Sequence, residues 1–526
     1  MMQFLNMNMI TELQIMDRIS ELPTFWKEND EELQKEFDEL KLIDNNLVQF
    51  RNELKLGIRT WILLVRLMDV EGSSYLVNKW TALVVDVEGS SSLVDKWIGL
   101  AVENGVKELH IVVESSPHES AYTLPQAIYS AKLLTTLVLN GCRLDEPLIA
   151  INLNSLKNLS LQRVYANEQM VHNLIAECCS LEDLSLRYTL GLKFFSVSKA
   201  HKLKNMVIAD CSRSSELESI VAPSLQQLTL MCVIVVATCP NLKKLYLSEI
   251  VLEDQEFHEL ISKFPLLEDL SVSSSQSLER VKFSSNLLKR VAFLFCTSLR
   301  AVDLDTPNLL SVTFESVRIP TISISASHQC SWNVFFVYEH DVGDIDNWYL
   351  KLKEFLGASN QIENLFINLR SVNIGQMPFD LEEFKNRSPS LPFQVGNMRL
   401  IVGMEVPIQE YKNLMDGIFW ICYPKNLYLP KQFNASSQFI EWLLELLWNR
   451  NEKCCKSCPI KCWRHYLKNT KTASFLPNGD ARPINIDNWR DRLPMLPDGY
   501  LRERLPTLPD GNFKLNLEWC FPEHDA

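Results

Sequence analysis

The residues with the clearest capacity for chemistry lie close together near the C-terminus. Thiolates and imidazoles are the ligands that a structural zinc ion takes, but such sites usually join two ligand pairs that lie a dozen or more residues apart. Here a single cluster follows an amphipathic run with helical spacing, Phe439 to Leu447, which favours packing of the cysteines against the fold. We therefore predict no metal and no cofactor, with a zinc-dependent module at the C-terminus as the alternative. The cluster consists of Cys454, Cys455, Cys458, Cys462 and His465.

No other group of residues has the spacing of an active site. The sequence has no G-x-S-x-G nucleophile turn, no G-x-x-x-x-G-K phosphate loop and no H-E-x-x-H zinc helix, and its nine histidines are scattered. Nucleophilic catalysis needs a base that is positioned beside the nucleophile, and no such pair stands out. We predict a protein without catalytic activity.

A leucine pattern organises the middle of the chain. Leu-x-x-Leu-x-Leu, with Val, Ile, Met or Phe at some positions, returns about every 22 residues. Residues two apart share one face of a strand, so each copy predicts a short strand with inward leucines such as Leu137 and Leu139. This period is typical of a leucine-rich-repeat solenoid, an α/β fold with a curved parallel sheet that serves binding. The copies begin at Val106, Leu134, Leu156, Leu181, Leu203, Leu225, Leu242, Leu267, Leu288 and Leu309.

The intervals between copies predict the return side of each coil. The long intervals after Leu156 and Leu242 contain apolar residues with helical spacing, so these coils should carry convex helices. Other intervals contain a second strand-like copy, at Leu192 to Val197, Leu278 to Phe283 and Leu299 to Leu304. The shortest interval, from Leu225 to Leu242, predicts a compressed or irregular coil. Three copies end in cysteine, which predicts buried thiols at Cys142, Cys211 and Cys296.

The composition is that of a folded protein with an acidic surface. Of 526 residues, 46% are hydrophobic and 22% are charged, and the formal charge is −13. That charge, without a basic cluster, argues against nucleic acid as a partner. No apolar stretch is long enough to cross a membrane, no signal peptide is recognisable, and the 14 cysteines show no disulfide spacing. We expect a cytoplasmic or nuclear protein.

Several segments resemble one plant family. The sequence M-D-R-I-S-E-L-P, from Met16 to Pro23, is similar to the opening of the F-box in plant F-box/leucine-rich-repeat proteins. Asp86 to Trp97 and Cys462 to Lys468 are similar to other parts of that family. In the family the F-box continues as a helical module that docks a Skp-type adaptor, whereas here an acidic helical segment follows, from Glu28 to Leu40. The resemblance implies a truncated F-box whose adaptor-docking remnant is Asp17, Ile19, Leu22 and Pro23.

Pattern and resemblance together divide the chain into four parts. These are the start of a degenerate F-box (1–23), a helical linker and solenoid entry (24–99), the leucine-rich-repeat solenoid (100–370) and a C-terminal α/β region that is FBD-like or specific to the family (371–526). Two segments are duplicated in tandem: Asp69 to Trp80 returns as Asp86 to Trp97, and Arg490 to Gly499 returns as Arg502 to Gly511. The second copy of the first pair fits no leucine period, so we expect a loop or an extra half-coil there.

The resemblance implies protein recognition as the function. It points to the substrate receptor of a cullin-type ubiquitin ligase, which binds a protein partner on the concave face. The incomplete F-box supports an alternative, a free-standing repeat protein that recruits no ligase, and it makes docking of a Skp-type adaptor doubtful. Neither nucleic acid nor a membrane is expected as a partner.

The strand pattern also predicts which side chains face the partner. Between the inward leucines, charged and aromatic side chains concentrate from Lys244 to Arg290. Tyr and Arg often dominate binding energy, so we take Tyr246 and Arg290 as anchors, with Lys244 and Asp269 setting orientation. A merely solvated sheet face is the alternative. The complete predicted set is Asp183, Asn205, Gln227, Lys244, Tyr246, Asp269 and Arg290.

Overall fold

The structure is a computed structural model. It describes residues 79–84, 91–113, 122–145, 147–188, 194–197, 199–209, 217–231, 234–339, 345–359, 362–371, 381–403, 406, 408–430, 434–448, 461–475, 481–483 and 512–521. The F-box remnant, Cys211, Cys454, Cys455, Cys458 and the second pair of duplicated segments lie outside the described residues.

Strands dominate the described residues. In chain order they are β1 (Lys79–Val84), β2 (Glu108–Val113), β3 (Tyr122–Thr123), β4 (Thr136–Asn140), β5 (Cys142–Arg143), β6 (Asn158–Gln162), β7 (Asp183–Arg187), β8 (Phe194–Ser196), β9 (Asn205–Ala209), β10 (Leu217–Val221), β11 (Gln227–Met231), β12 (Ile234–Thr238), β13 (Lys244–Ser248), β14 (Asp269–Ser273), β15 (Arg280–Ser284), β16 (Arg290–Leu294), β17 (Ala301–Asp305), β18 (Ser311–Ser316), β19 (Thr321–Ser325), β20 (Ser331–Glu339), β21 (Ile362–Ser371), β22 (Phe393–Val402), β23 (Cys422–Leu429), β24 (Leu467–Phe475), β25 (Ala481–Pro483) and β26 (Asn512–Trp519).

The helices of the described residues lie between these strands. They are α1 (Ser91–Glu103), α2 (Glu168–Glu177), α3 (Asp254–Ser262), α4 (Ile345–Ala358), α5 (Leu381–Arg387), α6 (Ile408–Ile421) and α7 (Asn434–Trp448), with 3-10 turns at Gln126–Ser130 and Trp463–His465. No helix of the described residues is long and apolar enough to cross a membrane.

One 18-stranded sheet runs through the molecule. Its pairings from β1 to β23 are parallel and join each coil to the next: β1, β2, β4, β6, β7, β9, β11, β13, β14, β16, β18, β20, β21, β22 and β23. β26, β24 and β25 then close the sheet with antiparallel pairings. This is the leucine-rich-repeat architecture that the sequence predicts.

Each leucine copy forms a strand that begins two residues after the copy does, as predicted. Along these strands buried and partly exposed side chains alternate, so that Leu137 and Leu139, or Leu184 and Leu186, enter one continuous core. Burial of a leucine side chain stabilises a fold by about 1.5 to 3 kcal/mol. The side chains between the leucines lie on the opposite side of the sheet, which we call the outward face.

The return side of the coils also follows the prediction. The intervals after Leu156 and Leu242 carry α2 and α3. The side chain of Asn167 caps α2 by accepting a hydrogen bond from the backbone of Met170, and Glu253 with Glu256 forms a capping box at the start of α3. Other coils carry second strands, which pair in three small parallel sheets among the described residues, β3–β5, β8–β10–β12 and β15–β17–β19.

The coil from Leu225 to Leu242 is short but regular. Its return strand β12 pairs in register with β10, for example Ile220 with Ala237. Of the two predicted alternatives, a compressed or an irregular coil, the pairing of β12 favours the compressed one. A run of apolar residues does not by itself reveal this pairing, because the partner strand, β10, belongs to another coil.

Five non-glycine residues with positive φ mark a corner that repeats along the sheet. Each comes directly after a strand of the long sheet, as Arg163 (φ 49°) follows β6 and Ser274 (φ 54°) follows β14. Gly141 has the same place after β4, with φ 73°, and a Cβ there would lie 2.3 Å from the carbonyl oxygen of Val113. Each corner N–H donates to the end of the next strand, as from Arg163 to Arg187 at 2.8 Å. Stacking of the coils thus offsets a strained backbone conformation.

The described ends of the two copies of the first duplication adopt different structures. Lys79 and Trp80 close the first copy and begin strand β1, which pairs with β2. The matching Lys96 and Trp97 lie within helix α1. The described part of the second copy, residues 91–97, is therefore helical and not a loop, and the extra half-coil stays a prediction.

Beyond Ser371 the parallel sheet continues through β22 and β23. The division between solenoid and C-terminal region at residues 370 and 371 remains a prediction. From α4 onward, helices fill the return side, and the core becomes aromatic. Phe355 of α4 makes edge-on contacts with Phe314, Trp332 and Phe336, with ring centroids 5.1 to 6.0 Å apart.

A buried ion pair fastens the C-terminal segment to this helical layer. Asp416 of α6 accepts hydrogen bonds through one oxygen, Oδ1, from Trp463 Nε1 at 2.6 Å and from Arg464 Nη1 at 2.9 Å. The Arg464 guanidinium also lies over the Trp463 ring, 4.5 Å from its centroid. Trp463 and Arg464 belong to the segment Cys462 to Lys468 that resembles the plant family, and both are buried.

The cysteines that the structure describes lie mostly in the core. Cys142 and Cys296 are buried at the predicted repeat position, and burial raises the pKa of their thiols to about 12 and about 11. Cys462 is buried too, and its Sγ lies 3.9 Å from Arg464 Nη1. Within the described residues no group of three or more potential ligands could hold a metal ion. Packing of the complete cysteine cluster remains a prediction.

Replacing Asp416 by alanine should lower the free energy of unfolding by about 3 kcal/mol or more, because the buried Arg464 would lose its counter-charge. Urea unfolding followed by tryptophan fluorescence measures the change. Asp303→Ala is the matched control, since its ion pair with Lys282 is solvent-exposed and should contribute little. Equal losses in the two variants would contradict a special role for Asp416.

Cys142 and Cys296 should react slowly with N-ethylmaleimide at pH 8, because their thiols are buried and almost fully protonated. Exposed Cys179 and Cys520 serve as internal standards and should react quickly. Mass spectrometry of peptides after a short pulse gives the rates. Labelling of Cys142 as fast as Cys179 would contradict the buried repeat position.

Candidate functional site

The outward face of the long sheet brings the predicted partner residues together. Six of them stand side by side on consecutive strands and form what we call the polar row: Asp183, Asn205, Gln227, Lys244, Asp269 and Arg290. Neighbours in this row touch, since Asn205 Nδ2 donates to Asp183 Oδ1 at 2.5 Å. The register of the strands thus collects residues that are more than 100 positions apart in the sequence.

Asp269 and Arg290 are already committed to each other. Arg290 Nη2 donates to Asp269 Oδ2 at 2.6 Å, and the hydrogen bond raises the pKa of the arginine. The Asp269 side chain is only 7% exposed, and its Oδ1 has no hydrogen-bond partner within the described residues. Asp269 therefore positions Arg290 and has little surface left for a partner. This arrangement differs from the prediction that Asp269 itself orients the partner.

Lys244 and Tyr246 remain accessible. Both are half-buried, and Lys244 makes no ion pair within 4 Å in the part of the chain that the structure describes. Tyr246 pairs with Ser271 of β14. It lies two residues further along its strand than Lys244, the member of the polar row on that strand. Burial, and then the nearby Asp269 carboxylate, raises the pKa of the Tyr246 hydroxyl, which stays a neutral hydrogen-bond donor at physiological pH.

The row that contains Tyr246 continues as a ladder of asparagines, which the sequence analysis missed. Through Ser271, Ala292 and Thr313 the register leads to four asparagines on β20 to β23. Each asparagine donates through Nδ2 to Oδ1 of the preceding one, at 2.6, 3.0 and 2.8 Å in turn. We call this the asparagine row: Asn333, Asn364, Asn397 and Asn426.

A second row beside the asparagines combines rings and cations. Phe335 and Phe366 lie 4.1 Å apart between ring centroids, and the Arg399 guanidinium carbon is 5.0 Å from the Phe366 centroid. Lys514 Nζ lies 5.2 Å from the Tyr428 centroid. We call this the ring row: Phe335, Phe366, Arg399, Tyr428 and Lys514.

Most members of the two rows line a cleft of about 500 Å³: Asn333, Asn364, Asn397, Phe335, Phe366, Arg399 and Tyr428. Lys514 lies next to this lining, beside the Tyr428 ring. Glu315 of β18 lies at one end of the cleft, and Asn512 of β26 lies at the other. Burial raises the pKa of the Glu315 carboxyl. Amide groups, aromatic faces and the Arg399 cation thus meet on the outward face at the end of the parallel sheet, with the Lys514 cation next to them. Together they can bind both polar and apolar groups of one partner.

A sequence signal for this cleft exists, although it does not follow the leucine period. An asparagine, an apolar residue, an aromatic residue or arginine, and a second apolar residue occur in that order at four places. The apolar members are buried and the others face outward. The four segments begin at Asn333, Asn364, Asn397 and Asn426.

Comparison with known proteins gives two matching families of leucine-rich repeats. Residues 94–239 match the LRR repeats of FBD-associated F-box protein At5g56370, and residues 215–371 match the LRR domain of At1g61320/AtMIF1. Together the two matches cover most of the long parallel sheet and stop before β22.

Individual relatives come from Arabidopsis thaliana. F-box/LRR-repeat protein At3g03360 is 25% identical over 36% of this chain and 40% of its own length. FBD-associated F-box protein At5g60610 is 28% identical over 36% and 45%, and F-box/FBD/LRR-repeat protein At3g26920 is 35% identical over 15% and 18%. The chain thus spans less than half the length of the curated relatives it matches. None of the three is named as an enzyme.

Replacing Arg290 by alanine should lower the free energy of unfolding by about 1 to 3 kcal/mol, because Asp269 would keep a buried charge without its partner. Urea unfolding measures this. Lys244→Ala removes a cation from the same row without orphaning a carboxylate, so its unfolding midpoint should not change. If both variants were equally stable, Asp269 would not depend on Arg290.

Proposed function

Because the chain is a leucine-rich-repeat protein of the plant F-box/LRR type, we propose that it recognises a protein partner through the outward face of its long sheet. One observation carries this proposal. The strands from β1 to β23 are parallel and in register, so their outward side chains form one continuous surface. That surface includes Lys244, Tyr246 and the cleft. Their outward side chains are not part of the hydrophobic core.

The proposal extends to the role of a substrate receptor in a cullin-type ubiquitin ligase. Relatives with F-box in their names and the F-box-like residues Met16 to Pro23 support this role. In such a receptor the F-box holds an adaptor while the repeats hold the substrate. The chain itself would then perform no chemistry, and its specificity would lie in the outward face.

The second candidate is a free-standing interaction protein. The observation that favours it is the short F-box match, which covers Met16 to Pro23 and no further segment. A stable interface usually buries about 800 Å² on each partner, more than eight residues provide. The two candidates share partner recognition and differ only in adaptor docking.

Accordingly, the chain should bind a Skp-type adaptor weakly or not at all. Co-purification of the full chain with the adaptor at micromolar concentration is the measurement, with an intact F-box protein as the positive control. Stable co-purification that is lost in a Leu22→Ala/Pro23→Ala variant would assign the ligase role to the remnant. Stable co-purification that persists in that variant would assign docking to another segment.

A further inference from the structure

We propose that the cleft between the asparagine row and the ring row binds an extended acidic peptide segment of the partner, with an aromatic or aliphatic side chain beside its carboxylates. This inference rests on the proposed function and deepens it, since it names the chemistry that one part of the outward face recognises. Four features carry it: the cations in and beside the cleft, its rings, its amides and the position of the Glu315 carboxylate.

Arg399, which lines the cleft, and Lys514 beside it have aromatic faces as partners but no carboxylates among the described residues. In the described ranges no acidic oxygen lies within 4 Å of the charged nitrogens of Arg399 or Lys514, whereas Arg290 in the polar row is neutralised by Asp269. The rings of Phe366 and Tyr428 hold the two cations in place. A carboxylate that approaches them meets groups that are already oriented, so little side-chain entropy is lost on binding.

The asparagine row supplies matching groups for a peptide backbone. An asparagine side chain has two N–H donors and an oxygen with two lone pairs. Contacts along the row use one donor and one lone pair of Asn364 and of Asn397. One N–H and one lone pair of each therefore remain, and these are the groups that an extended backbone, with its alternating C=O and N–H, can pair with.

Phe335 and Phe366 provide the apolar part of the site. Their rings are partly exposed on the outward face and pack against each other, beside Arg399. An aromatic or aliphatic side chain can lie on these rings while a neighbouring carboxylate reaches the guanidinium. Because the rings and the cation lie side by side, the site favours a peptide in which an apolar and an acidic side chain are adjacent over a peptide with either type alone.

Glu315 gives the site a direction. It stands in register with Phe335, at the opposite end of the ring row from Lys514. Its carboxylate repels acidic side chains, so the acidic part of the peptide should lie toward Arg399 and Lys514. Neighbouring strands are about 4.8 Å apart, so the ring row spans about 19 Å, the length of roughly six extended residues.

Nucleic acid is the competing type of ligand, since rings and cations also bind single strands. Two cations are few for a phosphate backbone, and the chain carries a formal charge of −13. Charge balance therefore favours a peptide with two or three carboxylates over a polyanion. An oligonucleotide enters the test below as a competitor.

Selection from a phage-displayed library of random 12-residue peptides on the immobilised full chain tests the inference. Selected peptides should contain at least two Asp or Glu within six residues, together with Phe, Tyr, Trp or Leu. Synthetic, fluorescein-labelled versions of them are then titrated by fluorescence anisotropy. Arg399→Gln/Lys514→Gln should weaken their binding at least tenfold, and Arg399→Lys should have a smaller effect because it keeps the charge.

The matched control is Arg280→Gln/Lys282→Gln on β15, which removes the same charge from the small return-side sheet and should leave binding unchanged. Basic or neutral selected peptides, no selected peptides, or equal weakening in the control pair would overturn the inference. So would an oligothymidylate of 12 nucleotides that binds more tightly than the selected peptides.

Failure of the cleft is distinguishable from failure of the proposed function. Suppose that selected peptides bind Arg399→Gln/Lys514→Gln with unchanged affinity and fail to bind Lys244→Ala/Tyr246→Ala. That result would contradict binding in the cleft and would still support recognition on the outward face. Peptides that bind equally well to both of these variants would overturn recognition on that face altogether.

Discussion

The whole architecture depends on the pairing of each strand with the next one in register. A strand of five residues buries only two inward side chains, and these are covered only when a neighbouring coil stacks on them. Pairing of Leu137 with Leu159, and of Leu139 with Leu161, closes the core between two coils. The same pairing satisfies the corner N–H groups, which is why five non-glycine residues tolerate positive φ.

The same register determines the outward face. Residues that are one coil apart become neighbours there, so a polar residue in one copy touches the corresponding residue in the next copy. Asp183 and Asn205 meet in this way, as do Asp269 and Arg290. Any property that repeats from copy to copy becomes a continuous stripe. The asparagine row, with the same residue type on four consecutive strands, is a stripe of this kind.

The cations of the polar row and of the cleft have different partners. In the polar row Arg290 is neutralised by a carboxylate that is itself buried, and such a pair contributes more to the arrangement of the sheet than to a new contact. In the cleft Arg399 lies on an aromatic ring and keeps its charge available. Available charge next to apolar surface is what an acidic partner can use.

The sequence by itself determined the repeat, because inward leucines at a fixed period are buried together when the coils stack as a parallel sheet. It also determined the convex helices and the buried repeat cysteines Cys142 and Cys296, since these depend on spacing within one coil. Only the tertiary structure decided what depends on neighbours. Burial of Asp269, the ion pair of Asp416 with Arg464, and the different conformations of Lys79–Trp80 and Lys96–Trp97 all follow from contacts with distant segments. The cleft escaped the leucine pattern for the same reason, because its asparagines are unevenly spaced along the chain and meet only through the register of β20 to β23.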